Sequence, residues 1–212
     1  MRAEPVTFEA LIEHVVAVTA ATSGNAASPG TARVLVDGHP ATRPWALADA
    51  LVAPLRAAGR PVARVRTRDF WRPASLRLEH GRRDPDALLD RWVDAGALNR
   101  EVLTAVVTRG RYLPTLRDPV TDRSTRAAYV AAAPGTVVVL DGSLTLGLGL
   151  DVDVSVHLAL SRAAETRGTA LDDAWQLAAY DRYRREAAPE RRADVVVRYD
   201  DARHPALVRR DR

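Results

Sequence analysis

Apolar residues recur with a period that changes along the chain, and the changes mark its elements. From Phe8 to Thr19 they fall at Leu11, Ile12, Val15, Val16 and Val18, the spacing of one helix face. A small-residue, glycine-rich stretch, Ser23 to Gly30, predicts a surface linker, and Arg33 to Val36 predicts a first strand. Leu47, Leu51 and Leu55 line one face of a helix over Trp45 to Ala58, with Gly59 as its C-terminal cap. Pro54 is expected to kink or shorten that helix, because it removes a hydrogen bond to the residue four earlier. Pro61 to Val65 predicts a second strand. Asp84 and Pro85 open another helix as N-cap and first-turn residue, and its apolar face runs from Leu88 toward Val106 with a break expected near Gly96. Tyr112 to Ala128, with Pro114 and Pro119, has little periodicity and predicts an irregular excursion.

The second half is sharper. Thr136 to Leu140 and Val152 to Leu160 are continuous apolar runs, as expected of central parallel strands covered on both faces. A helix is predicted over Leu171 to Ala187 and a last strand over Ala193 to Arg198. Strands alternating with helices predict an α/β fold, a doubly wound and mainly parallel five-stranded sheet flanked by helices. The expected organisation is a helix and linker over 1–30, one α/β domain over 31–204 and a tail over 205–212. Ligands of such sheets sit at the carboxyl ends of the strands, where Asp37, Asp69, Asp141 and Asp200 fall.

Composition narrows the chemistry. The 212 residues include no cysteine, which removes disulfides and thiolate metal sites. His39, His80 and His157 are scattered with no i, i+4 pair, so histidine metal binding is not expected, and His157 reads as a core histidine. All 31 basic residues are arginine, and they are interleaved with 27 acidic ones, for a net charge of +4. Nucleic-acid binding is not expected, since that needs basic residues gathered on one face. No apolar run is long enough to span a bilayer, and Met1-Arg2-Ala3-Glu4-Pro5 does not open a secretory signal, so a soluble, cytoplasmic protein is expected. No G-x-S-x-G nucleophile motif occurs, and Gly147-Leu148-Gly149 lacks the third glycine of a dinucleotide fingerprint.

One motif is present in outline and altered in chemistry. The strand Val34-Leu35-Val36 runs through Asp37 and Gly38 toward a helix near Trp45, the layout of a phosphate loop G-x-x-x-x-G-K-[ST]. Counting from Gly38 places Arg43, Pro44 and Trp45 where glycine, lysine and serine or threonine belong, and no lysine exists elsewhere to stand in. Pro44 has no N–H, and Trp45 has no oxygen for a metal.

In order, Val34-Leu35-Val36-Asp37-Gly38, Arg68-Asp69-Phe70-Trp71-Arg72-Pro73, Asp84-Pro85-Asp86-Ala87-Leu88, Val137-Val138-Val139-Leu140-Asp141-Gly142 and Ala193-Asp194-Val195-Val196-Val197 resemble the uridine kinase branch of the P-loop kinases. The resemblance covers most of the chain from about Arg33 onward. It implies a P-loop NTPase-like fold, ATP and magnesium as cofactors, a nucleoside or nucleotide as small-molecule partner, and transfer of the γ-phosphoryl to a 5′-hydroxyl. It also implies a nucleotide site at Asp37, Gly38, Thr42 and Arg43 with lid arginines Arg162 and Arg167, and a substrate site at Phe70, Trp71, Arg72, Tyr112 and Arg117. Asp69 and Asp141 fall to catalysis, Asp141 also to the metal.

The altered residues divide the functional expectation. The family's base is an aspartate two positions before a phenylalanine, which is Arg68 here, with Asp69 one residue closer to Phe70. One expectation is a divergent kinase in which Arg43 replaces the lysine, Asp141 holds magnesium and Asp69 acts as base. The other is a non-catalytic module that keeps the cleft for a small ligand or a protein. Several residues also have a plain structural alternative: Asp37 and Asp141 as caps of Asp-Gly turns, Arg43 as a surface arginine, Trp71 and Tyr112 as the edge of a core. The acceptor and the oligomeric state are unassigned.

Overall fold

The computed structural model describes residues 2–22 and 30–209. The elements run in the order β1 (Arg2–Pro5), α1 (Phe8–Thr22), β2 (Ala32–Gly38), α2 (Pro44–Ala50), α3 (Val52–Ala57), β3 (Val62–Arg66), α4 (Ala74–Arg77), α5 (Pro85–Asp90), α6 (Ala95–Leu98) and α7 (Thr104–Thr108). They continue as β4 (Arg111–Tyr112), β5 (Val130–Ala131), β6 (Val137–Gly142), β7 (Val154–Ala159), α8 (Arg162–Gly168), α9 (Leu177–Glu186), α10 (Pro189–Arg192), β8 (Val195–Arg198) and β9 (Ala206–Arg209). One sheet has the order β1-β9-β8-β7-β2-β6-β3, and β4 pairs with β5 in a separate two-stranded ribbon.

The alternation of side chains along the strands divides the core in two. Val34 and Val36 of β2 and Val137 and Val139 of β6 face one hydrophobic cluster with Leu11 and Val15 of α1, Leu47 of α2 and Leu51 just after it. Leu35, Val138 and Leu140 face the other, with Phe70, Leu98, Leu103 and Tyr183. Strands buried on both faces explain why these runs are apolar without interruption. Five strands, β8, β7, β2, β6 and β3, are mutually parallel, which is the expected α/β sheet.

Several expectations shift. The sheet has seven strands among the described residues, because β9 joins β8 antiparallel and β1 joins β9. The described residues of the segments expected outside the domain, 1–30 and 205–212, therefore supply the two strands at one side of its sheet, β1 at the edge and β9 beside it, and, through Leu11 and Val15 of α1, part of its core. Residues 23–29 of the expected linker lie outside the described residues. The helix predicted over Trp45 to Ala58 is interrupted at Leu51, since Pro54 has no N–H for the carbonyl of Ala50. Asp84 caps α5 by accepting from the Asp86 and Ala87 N–H groups, but the next break falls at Arg91 to Asp94 rather than at Gly96. Asp94 caps α6 there, and Gly96 lies within it. The helix predicted from Leu171 begins as 3-10 turns over Leu171–Gln176 and becomes α-helical at Leu177. The irregular stretch after Tyr112 is pinned by Asp122, which accepts from the Ala74 N–H at 2.9 Å and pairs with Arg77 at 3.3 Å.

Candidate functional site

At the carboxyl end of β2 the chain turns through Gly38 to Pro44 into α2. Gly38 is required by space, since a Cβ there would lie 2.5 Å from Thr42 Oγ1. Pro40–Thr42 forms one 3-10 turn, and Arg43 takes a left-handed conformation (φ 53°, ψ 59°) that sets Pro44 at the first position of α2. Three amides of this loop are bonded within it. Ala41 N–H donates to His39 Nδ1 (3.1 Å), Thr42 N–H to the His39 carbonyl (2.8 Å) and Arg43 N–H to the Pro40 carbonyl (2.9 Å). Pro40 and Pro44 have no N–H to give. Thr42 is buried and its hydroxyl donates to the His39 carbonyl (2.8 Å), while Arg43 extends into solvent.

A second layer closes over this loop. The end of α8 packs on it so tightly that a Cβ at Gly168 would meet the Ala41 Cβ at 2.5 Å. Thr169 Oγ1 donates to the Glu165 carbonyl (2.7 Å) and so accepts from His39 Nε2 (3.1 Å). With Nδ1 accepting and Nε2 donating, His39 is held as the neutral ring. Burial, assisted by the charge of Arg184, pulls its pKa down to about 4. The ring packs on Tyr180 at 4.4 Å between centroids. Of the expected lid arginines, Arg162 pairs with Asp181 (3.3 Å) on the surface and Arg167 is exposed.

Beneath the loop, Asp37 is fully buried and all of its bonds go to protein donors. Thr145 gives its N–H (2.9 Å) and hydroxyl (2.6 Å) to Oδ1, while Tyr183 OH (2.9 Å) and His157 Nδ1 (2.8 Å) meet Oδ2. Burial alone would raise this carboxyl's pKa, but the contacts from His157 and Thr145 outweigh it and hold the pKa below the usual carboxylate range. His157 is therefore a bonded core histidine, as the sequence suggests.

Asp141 lies next to the end of β6 with its carboxylate ion-paired to Arg64 of β3, whose guanidinium also donates to Asp49 (2.8 Å) and to the Val65 carbonyl (2.6 Å). Burial raises the Asp141 pKa against the pull of Arg64. The expected metal ligand thus faces a cation. Among the described residues no group of three His, Cys, Asp or Glu side chains could hold a metal ion. This donor set, a carboxylate already paired with a guanidinium, does not match magnesium, a hard cation that demands oxygen ligands.

The remaining expected residues separate. Thr67–Phe70 is a 3-10 turn rather than an extended strand end, and it places Arg68, not Asp69, on the cleft wall. Asp69 is half-buried; burial raises its pKa while Arg68 and Arg66 oppose the shift. Phe70 is wholly buried in the core, which corrects its expected place at a substrate. Trp71 lines the cleft. The Arg72 carbonyl accepts from Arg77 Nε (2.7 Å), Tyr112 packs on the core, and Arg117 donates to the Asp122 carbonyl (2.5 Å); none of the three lines the cleft.

What the sequence reading missed is a tryptophan cluster. A cleft of about 300 Å³ opens at the carboxyl ends of β3 and β6, walled by Trp45, Arg68, Trp71, Trp92, Asp141 and Tyr180. Trp71 and Trp92 meet edge to face at 4.9 Å, and Trp175 lies 6.3 Å from Trp92. All four tryptophans of a chain that is 5 per cent aromatic gather here. That concentration is the one signal the sequence offered, and no spacing rule ties four residues so far apart.

No family model matches the chain, and no curated protein matches its sequence. Solved structures do match its fold. A possible uridine kinase from Bacillus stearothermophilus superposes with a TM-score of 0.68 at 18% identity, over 89% of this chain and 96% of that one. A "putative fructose transport system kinase from Silicibacter sp. TM1040" superposes with a TM-score of 0.59 at 20% identity, over 90% and 98%. At these identities the likeness defines a fold class: a mostly parallel, helix-flanked α/β fold of the P-loop NTPase type, shared with uridine-kinase-like and sugar-kinase-like structures. No helix among the described residues is long and apolar enough to cross a membrane.

Proposed function

We propose that the protein is a non-catalytic relative of the P-loop kinases, a module that keeps the substrate-side cleft for a small ligand and does not transfer phosphoryl groups from ATP. The observation that carries this reading is the state of the loop after β2: the amides of Ala41, Thr42 and Arg43 are bonded inward, and the neighbouring prolines have none. A phosphate loop works by aiming such amides at anionic oxygens, with a lysine over the β- and γ-phosphates. This chain has no lysine, and these three amides are already bonded to His39 and Pro40. Phosphoryl transfer depends almost wholly on positioning and charge stabilisation, so loss of one such stabiliser alone lowers the rate on the order of 10² to 10³. The proposed degenerate loop and the Arg64-paired Asp141 are mutually consistent, since a carboxylate with no metal to hold is stabilised by a guanidinium.

The test is incubation with labelled ATP, magnesium and a panel of nucleosides and sugars. The expected result is no labelled product above a heat-treated control. Product formed by the wild type and lost in Asp69→Asn would instead support the divergent kinase with Asp69 as base.

A further inference from the structure

The tryptophan-lined cleft carries a charge pattern that specifies its ligand more narrowly than its shape does. Trp45 lies at the rim, 36% exposed, and Trp71 and Trp92 form the wall. The Arg77 guanidinium lies 5.2 Å from the Trp71 ring centroid and 5.0 Å from that of Trp92. These rings already host a cation, whose charge Asp122 balances from its other side. A ligand ammonium would therefore face repulsion where an unoccupied aromatic cage would attract it. Asp141, the one carboxylate on the wall among the described residues, is neutralised by Arg64. Arg68 remains. It lines the cleft, is exposed, and its side chain makes no hydrogen bond or ion pair among the described residues, although Asp69 and Asp118 feel its charge.

We infer that this cleft binds a flat aromatic or heteroaromatic molecule bearing a single anionic group, the ring held against the tryptophans and the anion met by Arg68. This deepens, and rests on, the reading of the protein as a small-ligand module. About 300 Å³ lies at the lower end of the range of small-molecule sites, enough for a one- or two-ring compound. A planar guanidinium pairs with a carboxylate or a phosphate monoester through two parallel hydrogen bonds. Polyphosphate chains are disfavoured, because the loop amides of Ala41, Thr42 and Arg43 are spent internally.

Three probes of one shape and different charge separate the possibilities: 2-naphthoate, 2-naphthylmethanol and 2-naphthylmethylammonium. Each is titrated by calorimetry into the full chain, with the indole N–H resonances of the tryptophans followed in parallel. The carboxylate is expected to bind roughly ten-fold or more tightly than the alcohol, as for a charged hydrogen bond in a partly desolvated cleft, and to move the Trp71 and Trp92 signals. The ammonium is expected to bind no better than the alcohol. Arg68→Gln should erase the preference for the carboxylate while leaving alcohol binding unchanged, and Trp45→Leu should weaken all probes together. The inference is overturned if the ammonium matches or beats the carboxylate, if the preference survives Arg68→Gln, or if no probe saturates. Such a failure would leave the non-catalytic reading standing, because that reading is decided by the labelled-ATP assay and not by this ranking.

Discussion

His39 joins the loop to the layer above it through two opposite roles of one ring, acceptor at Nδ1 and donor at Nε2. Protonation at Nδ1 would set two donors, the ring N–H and the Ala41 N–H, against each other. With its folded pKa near 4 and an ordinary value of 6.5, the unfolded chain binds the proton first as pH falls. Stability is therefore complete above about pH 6.5 and declines as pH drops toward 4, by about 3 kcal/mol from this ring. Urea unfolding across that window should give a flatter pH profile for His39→Gln than for the wild type. Identical slopes would assign the decline to other groups, of which His14, also lowered by burial, is one. Asp37 gives a second prediction at this scale. Asp37→Ala leaves Thr145, His157 and Tyr183 without their shared acceptor in the core, and should lower unfolding stability by about 3 to 5 kcal/mol. A loss below about 1 kcal/mol would mean that water or rearrangement satisfies these donors.

The contact between α8 and the loop after β2 is the element-scale feature that most separates this site from an open cradle. It depends on small residues on both sides, Gly168 and Ala41, and on the Thr169–His39 bond. Gly168→Ala should destabilise the fold by about 1 to 3 kcal/mol through overpacking, and Ala41→Gly in the same chain should restore a large part of that loss. Additive effects of the two changes, measured by denaturant unfolding, would place α8 away from the loop. Nothing in a single sequence announces this packing. A glycine at a helix end reads as a C-cap, and the neighbour that makes it necessary lies well over a hundred residues earlier.

Across the molecule, legibility follows burial. The central strands were readable because both faces are covered, which removes polar positions and leaves runs such as Val137 to Leu140. The outer strand β1 and its neighbour β9 were not, because Arg2–Pro5 is exposed along its whole length and Ala206–Arg209 carries one buried side chain, Leu207. Asp37, Gly38 and Asp141 were found at strand ends by topology, yet their partners, Thr145, Tyr183 and Arg64, come from tertiary approach that no local pattern encodes. The same limit hid the tryptophan cleft. Arg68 and Asp69 were separable only once the turn at Thr67–Phe70 was known to be 3-10 helical, since an extended end and a tight turn aim successive side chains differently.

The proposed non-catalytic module has its loop after β2 closed to a triphosphate. Titration of the labelled protein with Mg-ATP, read from the backbone amide resonances of Ala41, Thr42 and Arg43, tests it most directly. The expected result is that these three signals stay in place at millimolar nucleotide. Saturable shifts of all three, with loss of the bonds they make to His39 and Pro40, would contradict it.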